Sequence, residues 1–385
     1  MEGARDRLLR AMRGEKADPL PVSCRFSVGF LLERARNLGI AGGPEVLHLS
    51  GVGYLLEVMD RLELDPVVLP HWWHGCTVFS CPDALLPWNP EATQRWRSST
   101  LYEPDPNEPG RRVAVRTVTT PWGALTGKAV CQRGQRWPIE YMLKKEEDVE
   151  VLSLRPDPAD LDLSRLIRLG QLVGDRGVVM FTYPGVIEEA MSLRGAEQFC
   201  IDLMERPAWV RKLLARLHEY SAAALTRLCS TGKLDVVIIN NSSMSMISPD
   251  TYSRYGEEMD RDLIRVIKES GAVAVYHNCG RVMAYLDSIA RIHPDVLEPL
   301  VPATASTWAD ADLAEVRRKL GEDVVLMGGF DPACLASGDA ESIKVEARRC
   351  LAQGSIRGAK HIPFAGGTLF EAGDEQIRAF ARAFR

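Results

Sequence analysis

The sequence predicts an α/β protein, a (β/α)8 TIM barrel with a Trp- and Pro-rich, partly β insertion capping the barrel mouth. Three observations carry this. From about Gly170 onward, short apolar runs ending in polar or Gly-rich residues alternate with longer amphipathic segments, the rhythm of a parallel sheet with crossover helices. Six such units in series, with two early candidate strands, come close to the eight of a closed barrel rather than an open doubly wound sheet. Between His71 and Tyr141 the rhythm breaks, and residues rich in Pro, Trp and alternating strand-like patterns take its place.

The early strands are expected at "PLPVSCRFS" and "DPVVLP". The later ones fall at "VVMFTYPG", "LDVVIINNSS", "VAVYHNCG", "PDVLEPL", "DVVLMGGFDP" and "KHIPFAGG". Segments between them, such as "SPDTYSRYGEEMDRDLIRVIKESG", carry apolar residues at helical spacing and often end in Gly. The whole chain, 1–385, is read as one barrel domain with an inserted cap subdomain at 71–141. Six of the eight tryptophans (Trp72, Trp73, Trp88, Trp96, Trp122 and Trp137) lie in that insertion, where large rings hold a small appendage together and one or two, Trp122 foremost, face a ligand.

A chain that is 46% hydrophobic and 26% charged buries a sizeable core. A formal net charge of -5 supplies no basic field for a nucleic-acid backbone. No run of eighteen apolar residues occurs and the charged start lacks a signal-peptide core, so a cytoplasmic location without membrane association is expected. The nine cysteines form no C-x-x-C pair, which argues against a disulfide framework and for reduced thiols.

In a parallel barrel, functional side chains collect where strands end. These endings offer Tyr183, then Asn240 and Asn241, then His277 and Cys279, then Glu298, then Asp331, then Gly366 and Gly367. His277 and Cys279 point to the same side if the extended conformation persists through Asn278. Glu298 is a carboxylate in an apolar strand, costly to bury unless it is paired or coordinates something. Imidazole, thiolate and carboxylate on neighbouring strands make a three-ligand zinc shell with one position open. On the residues alone, a His and a Cys with structural roles stay an alternative. A second cluster, His71, His74, Cys76 and Cys81, matches no finger spacing, and its neighbouring tryptophans suggest packing. Phosphate-binding loops of the G-x-x-x-x-G-K-[ST] and G-x-G-x-x-G kinds are absent, as are H-E-x-x-H and G-x-S-x-G, and the glycines of "GGFDP" and "FAGGT" are expected to let backbone approach a ligand or a neighbouring loop.

Along nearly its whole length the chain resembles the uroporphyrinogen decarboxylase superfamily. The resemblance is carried by "LLRAMRGEKADPLPV", "TPWGAL", "IEYMLKKEEDVEVL", "SPDTYSRY", "HNCG", "LDSIARIHPDVLEPL" and "LGEDVVLMGGFDP". It implies a (β/α)8 barrel with its site in the C-terminal mouth, and either of two chemistries. The metal-free decarboxylases hold a tetrapyrrole with an Arg-Gln-Ala-Gly-Arg run, where this chain has "VSCRFSVGF" with Arg25 as the only cation. The cobalamin-linked methyltransferases bind zinc through a His-x-Cys pair similar to "HNCG", which implies His277 and Cys279 as ligands and Glu298 as an acidic neighbour or ligand. Their thiol-methylating members add a Pro-Gly-Cys-Gly cysteine that "PFAGGT" lacks. With one thiolate, zinc is the stronger Lewis acid, which favours demethylation of a donor.

The expectation is thus transfer of a methyl group from a small methylated donor, favoured as a methoxylated aromatic, to a corrinoid on a separate protein, because no Asp-x-His-x-x-Gly cobalamin loop is present. Asn240, Asn241, Arg25 and Trp122 would bind substrate, and Tyr183 or Asp331 would protonate the leaving phenolate. A metal-free lyase and a non-catalytic tetrapyrrole- or corrinoid-binding barrel are the rival readings. A homodimer is compatible with all of them.

Overall fold

The structure is a computed structural model that describes residues 3–26, 52–69, 88–132, 135–369 and 372–385. Trp72, Trp73 and the cluster of His71, His74, Cys76 and Cys81 lie outside the described residues. The strands in chain order are β1 (Ser23–Phe26), β2 (Val67–Val68), β3 (Arg97–Pro104), β4 (Arg112–Thr120), β5 (Gly123–Gln132), β6 (Gln135–Glu140), β7 (Val178–Pro184), β8 (Val236–Asn240), β9 (Val273–His277), β10 (Val296–Glu298), β11 (Val325–Met327), β12 (His361–Ile362) and β13 (Phe364–Leu369).

Seven of them form one parallel sheet in the order β12-β11-β10-β9-β8-β7-β2. The chain continues past Pro363 from β12 into β13, which pairs in parallel with β1. The backbone N–H of Asp65 then donates to the Val22 carbonyl at 2.8 Å, joining the β1 and β2 segments and closing the ring. Counting β12 and β13 as one interrupted strand, this is the expected (β/α)8 barrel, with both early strands where the apolar runs put them.

Successive side chains on a strand face opposite ways, so each barrel strand feeds two cores. Val178, Met180, Val236, Ile238, Val273, Val275, Val296 and Val325 pack together in the lumen. Leu8, Leu9 and Met12 of the amphipathic helix Ala4–Met12 join the same cluster and plug its lower end. The alternate residues Val179, Phe181, Tyr183, Val237, Ile239, Ala274, Tyr276 and Leu297 pack outward into the helix layer.

Three aspartates fasten the lower end. Asp65, just before β2, accepts from the Val22 N–H at 2.9 Å; Asp235, before β8, from Val179 N–H at 2.8 Å; and Asp295, before β10, from Ala274 N–H at 2.9 Å. Each thereby satisfies a backbone donor at the start of the neighbouring strand, where the ladder has no partner for it. Arg7 pairs with Asp65, and Arg5 pairs with Asp235 at 2.6 Å, so the plugging helix is tied to two of the three.

The insertion leaves the chain after β2 and contains a four-stranded antiparallel sheet, β3-β4-β5-β6. Trp96 is buried and Trp88 packs against the main core, whereas Trp122, at the β4–β5 turn, is 57% exposed and Trp137 47%. The Gly-rich "GGFDP" stretch serves loop packing. A Cβ on Gly328 would stand 1.7 Å from the Pro299 carbonyl oxygen, and the next residue, Gly329, donates its N–H to that oxygen at 3.2 Å. Among the described residues no helix is long and apolar enough to cross a membrane.

Asp65→Ala removes an acceptor with 1% exposed side chain that serves the Val22 N–H, Arg7 and Arg385 together. We expect it to destabilise the fold by about 3 kcal/mol in urea unfolding, with Asp65→Asn intermediate. A loss below about 1 kcal/mol would show that the lower fastening contributes little.

Candidate functional site

The strand register sets the site. Pro184, Asn240, His277 and Glu298 stand side by side at the C-terminal ends of β7, β8, β9 and β10. Because Val273 and Val275 of β9 face the lumen, His277 does too, and by the same parity so do Asn240 and Glu298. The ladder runs one residue further, with Asn278 N–H donating to the Glu298 carbonyl at 3.1 Å. The chain then turns: the buried Asn278 side chain accepts from Gly280 N–H at 2.9 Å and from Ser245 Oγ at 3.2 Å. That turn brings Cys279 back beside the His277 imidazole, near enough for the two groups to shift each other's titration.

Glu298 is fully buried. His277 Nδ1–H donates to its Oε1 at 2.8 Å, and Arg25, reaching across the lumen from β1, donates to the same oxygen at 2.6 Å. With Nδ1 committed, Nε2 is the nitrogen left for chemistry. Cys279 Sγ lies 3.2 Å from Ser242 Oγ in the loop after β8. Next to Ser242, the Ser243 N–H donates to the Glu188 carboxylate at 2.9 Å, so a second acid stands on the same side of the mouth.

Basic and acidic groups alternate along the series Arg25, Glu298, His277, Cys279. Burial pushes the Glu298 carboxyl up, but the Arg25 charge and the His277 hydrogen bond outweigh it and hold it at about 2. Burial pulls His277 down, yet its hydrogen bonds with Cys279 and Glu298 raise it to about 9. Burial likewise opposes ionisation of Cys279, and the His277 hydrogen bond and charge bring the thiol below its ordinary range. Burial raises Glu188, with the Ser243 hydrogen bonds and the His277 charge working against the rise. Together these shift His277 and Cys279 toward their charged forms and Glu188 toward its protonated form.

The other expected residues go different ways. Tyr183 is a correction: it shares the outward parity of Val179 and Phe181 and is buried in the helix layer, so its hydroxyl does not reach the mouth, where Thr182 takes the inner position. Asn241 is a second correction. It is fully buried, and its Nδ2 donates to Asp260 at 2.6 Å outside the barrel ring. Asn240 keeps the inner position and accepts from Ser242 Oγ at 3.1 Å. Asp331 caps the helix Pro332–Ser337, accepting from Ala333 N–H and Thr304 Oγ1, each at 2.8 Å. Arg25 is spent on Glu298, and Trp122 is an exposed turn residue. Glu188 escaped the sequence reading because two acids in a helix's first turn look like ordinary dipole partners.

Two tests follow from this geometry. In metal-free protein, Cys279 alkylation by iodoacetamide should stay fast below the pH at which an ordinary thiol slows, because a lowered thiol pKa keeps the thiolate populated there. His277→Ala removes the opposing charge while burial remains, so the profile should move to higher pH; an unmoved profile would mean that the pair is not coupled. Separately, Arg25→Ala leaves the buried Glu298 with His277 as its remaining partner and should cost about 3 kcal/mol in denaturant unfolding. Glu298→Gln in that background should recover part of the loss, and strictly additive effects would count against the pair.

Comparison with known proteins agrees with this architecture. A methyltransferase from Methanosarcina mazei superposes with a TM-score of 0.67 at 17% sequence identity, covering 100% of this chain and 98% of that one. No curated protein matches the chain in sequence. The sequence profile of the uroporphyrinogen decarboxylase (URO-D) family matches residues 180–385, from within β7 to the C terminus and thus through β8, His277, Cys279 and Glu298. A match over more than half of the chain, on a barrel of this topology, places the protein in the uroporphyrinogen decarboxylase family.

Proposed function

We propose that the protein is a zinc-dependent methyltransferase of this family. It would move a methyl group from a small methylated donor, favoured as a methoxylated aromatic, to a corrinoid carried by a separate protein. The observation that carries the reading is the His277–Cys279 pair at the barrel mouth, with Nδ1 of the imidazole pinned by Glu298. A carboxylate on the far nitrogen is the support a metal-bound histidine takes, and imidazole with thiolate is a donor set suited to zinc.

Among the described residues no three His, Cys, Asp or Glu side chains converge tightly enough to hold a metal ion. His277 through Nε2 and Cys279 through Sγ would therefore be the protein's principal donors. Glu298, expected as a third ligand, serves in this reading as the group that orients His277. Zinc held there would supply Lewis acidity to the oxygen of a methyl ether. Between Glu188 and Glu298 at the mouth, Glu188 is the one whose net shift is toward the protonated form, because burial there outweighs its hydrogen bonds, so it replaces Tyr183 and Asp331 as the candidate acid for a departing phenolate. Asn240, on the inner row beside His277, would orient the donor.

Two further features support the choice between the family's chemistries. Arg25 is neutralised by Glu298 and so is not free to hold a pyrrole acetate. The chain carries no Asp-x-His-x-x-Gly loop, so the corrinoid would arrive on a partner. The fold it shares with the Methanosarcina mazei methyltransferase is consistent with the same choice.

Metal analysis of purified protein should find about one zinc per chain, lost in His277→Ala and Cys279→Ala. Mixing enzyme, a reduced corrinoid protein and methoxyarenes should then produce the methylcobalamin spectrum. Full activity in zinc-free protein would overturn the metal role, and no methylcobalamin across a broad donor panel would favour the metal-free lyase or the non-catalytic binder.

A further inference from the structure

Behind the row of strand ends, on the helix side of the sheet, lies a buried polar cluster that neither core nor site chemistry uses. Asp260, on the helix Glu257–Glu269, is fully buried. Its Oδ2 accepts from Tyr252 OH at 2.7 Å, Tyr276 OH at 2.8 Å and Asn241 Nδ2 at 2.6 Å, and its Oδ1 from the Val186 N–H at 3.3 Å. The two tyrosine hydroxyls also meet each other at 2.7 Å.

Three of the four donors belong to segments that carry the mouth. Tyr276 immediately precedes His277. Asn241 immediately follows Asn240, and its backbone N–H donates to the His277 carbonyl at 3.0 Å. Val186 opens the helix whose first turn holds Glu188. Between these segments the backbones leave no slack: a Cβ on Gly185 would come within 2.9 Å of the Asn241 side chain. A buried carboxylate bound by several donors resists displacement, since any shift leaves a polar group unsatisfied away from water.

We propose that Asp260 is the positioning residue of the mouth, one buried carboxylate that fixes the strand ends bearing His277 and Asn240 and the helix start bearing Glu188 so that imidazole and thiol converge. In its metal form this rests on the reading that His277 and Cys279 hold zinc. Asp260 touches no substrate and acts only through Tyr276, Asn241 and Val186.

The test uses the full chain with zinc and cobalt(II) as probes. Tyr276→Phe keeps the ring and removes only the hydroxyl, Tyr252→Phe does the same one step away, and Asp260→Asn removes the charge. Asp65→Asn, which loosens the lower end of the barrel, is the control for destabilisation alone. Zinc affinity by competition with a chromophoric chelator should fall about 10- to 100-fold in Tyr276→Phe and Asp260→Asn. The thiolate-to-cobalt band should change with it, while Asp65→Asn leaves both near wild type. Unchanged affinity and spectrum in folded Tyr276→Phe, or a loss matched by the control, would overturn the proposal. If wild type binds no zinc, the metal reading fails and Cys279 alkylation in the same variants decides: a changed rate in Tyr276→Phe and an unchanged one in Asp65→Asn supports the positioning role, and equal rates reject it.

Discussion

The carboxylate of Glu298 has no exposed surface, so the water that would ordinarily stabilise its charge must be replaced by protein groups. Both replacements come from other strands. Arg25 reaches from β1 through the lumen, and His277 leans over from the adjacent β9. Meeting one oxygen from two sides fixes the imidazole and, through it, the thiol of Cys279. An ion pair of this kind adds little net stability over a well-packed apolar pair, because desolvation consumes most of the attraction. Its effect here is orientation: it decides which nitrogen of His277 looks into the mouth.

The barrel separates this arrangement from its own fastening. At the lower end, Asp65, Asp235 and Asp295 close backbone donors between alternate pairs of strands, and the first helix seals the lumen. At the upper end the polar groups are spent on the His–Cys pair and on the network around Asp260. Loops at that end carry Ser242, Ser245 and Asn278, whose hydrogen bonds set the return of the chain at Cys279. One end of each strand is thus committed to holding the ring, and the other to presenting side chains.

Much of this was legible from residue order. Apolar runs located the strands, and the last polar residue of each run located the rim, including His277, Cys279, Asn240 and Glu298. What residue order left open was parity. Barrel strands are buried on both faces, so "VVMFTYP" is apolar in the lumen and apolar against the helices, and no pattern says whether Thr182 or Tyr183 looks inward. Tyr183 and Asn241 were misplaced for that reason. The Arg25–Glu298 pair spans 273 residues of chain, and no local spacing announces it. Glu188 is brought to the mouth by a turn and a serine N–H, neither of which has a sequence signature of its own.

The first helix holds its arginines against partners made much later. Arg7 meets Asp65, Arg385 also meets Asp65, and Arg5 meets Asp235, 230 positions downstream. The helix therefore cannot reach its final seat until the segment leading into the fourth barrel strand is in place, and Arg385 completes the set of partners around Asp65. Such distant contacts carry a large loop-closure entropy and form late. Until those partners meet, the lumen-facing valines lack the cover of Leu8, Leu9 and Met12, and the docking of this helix is the step that seals the lower end.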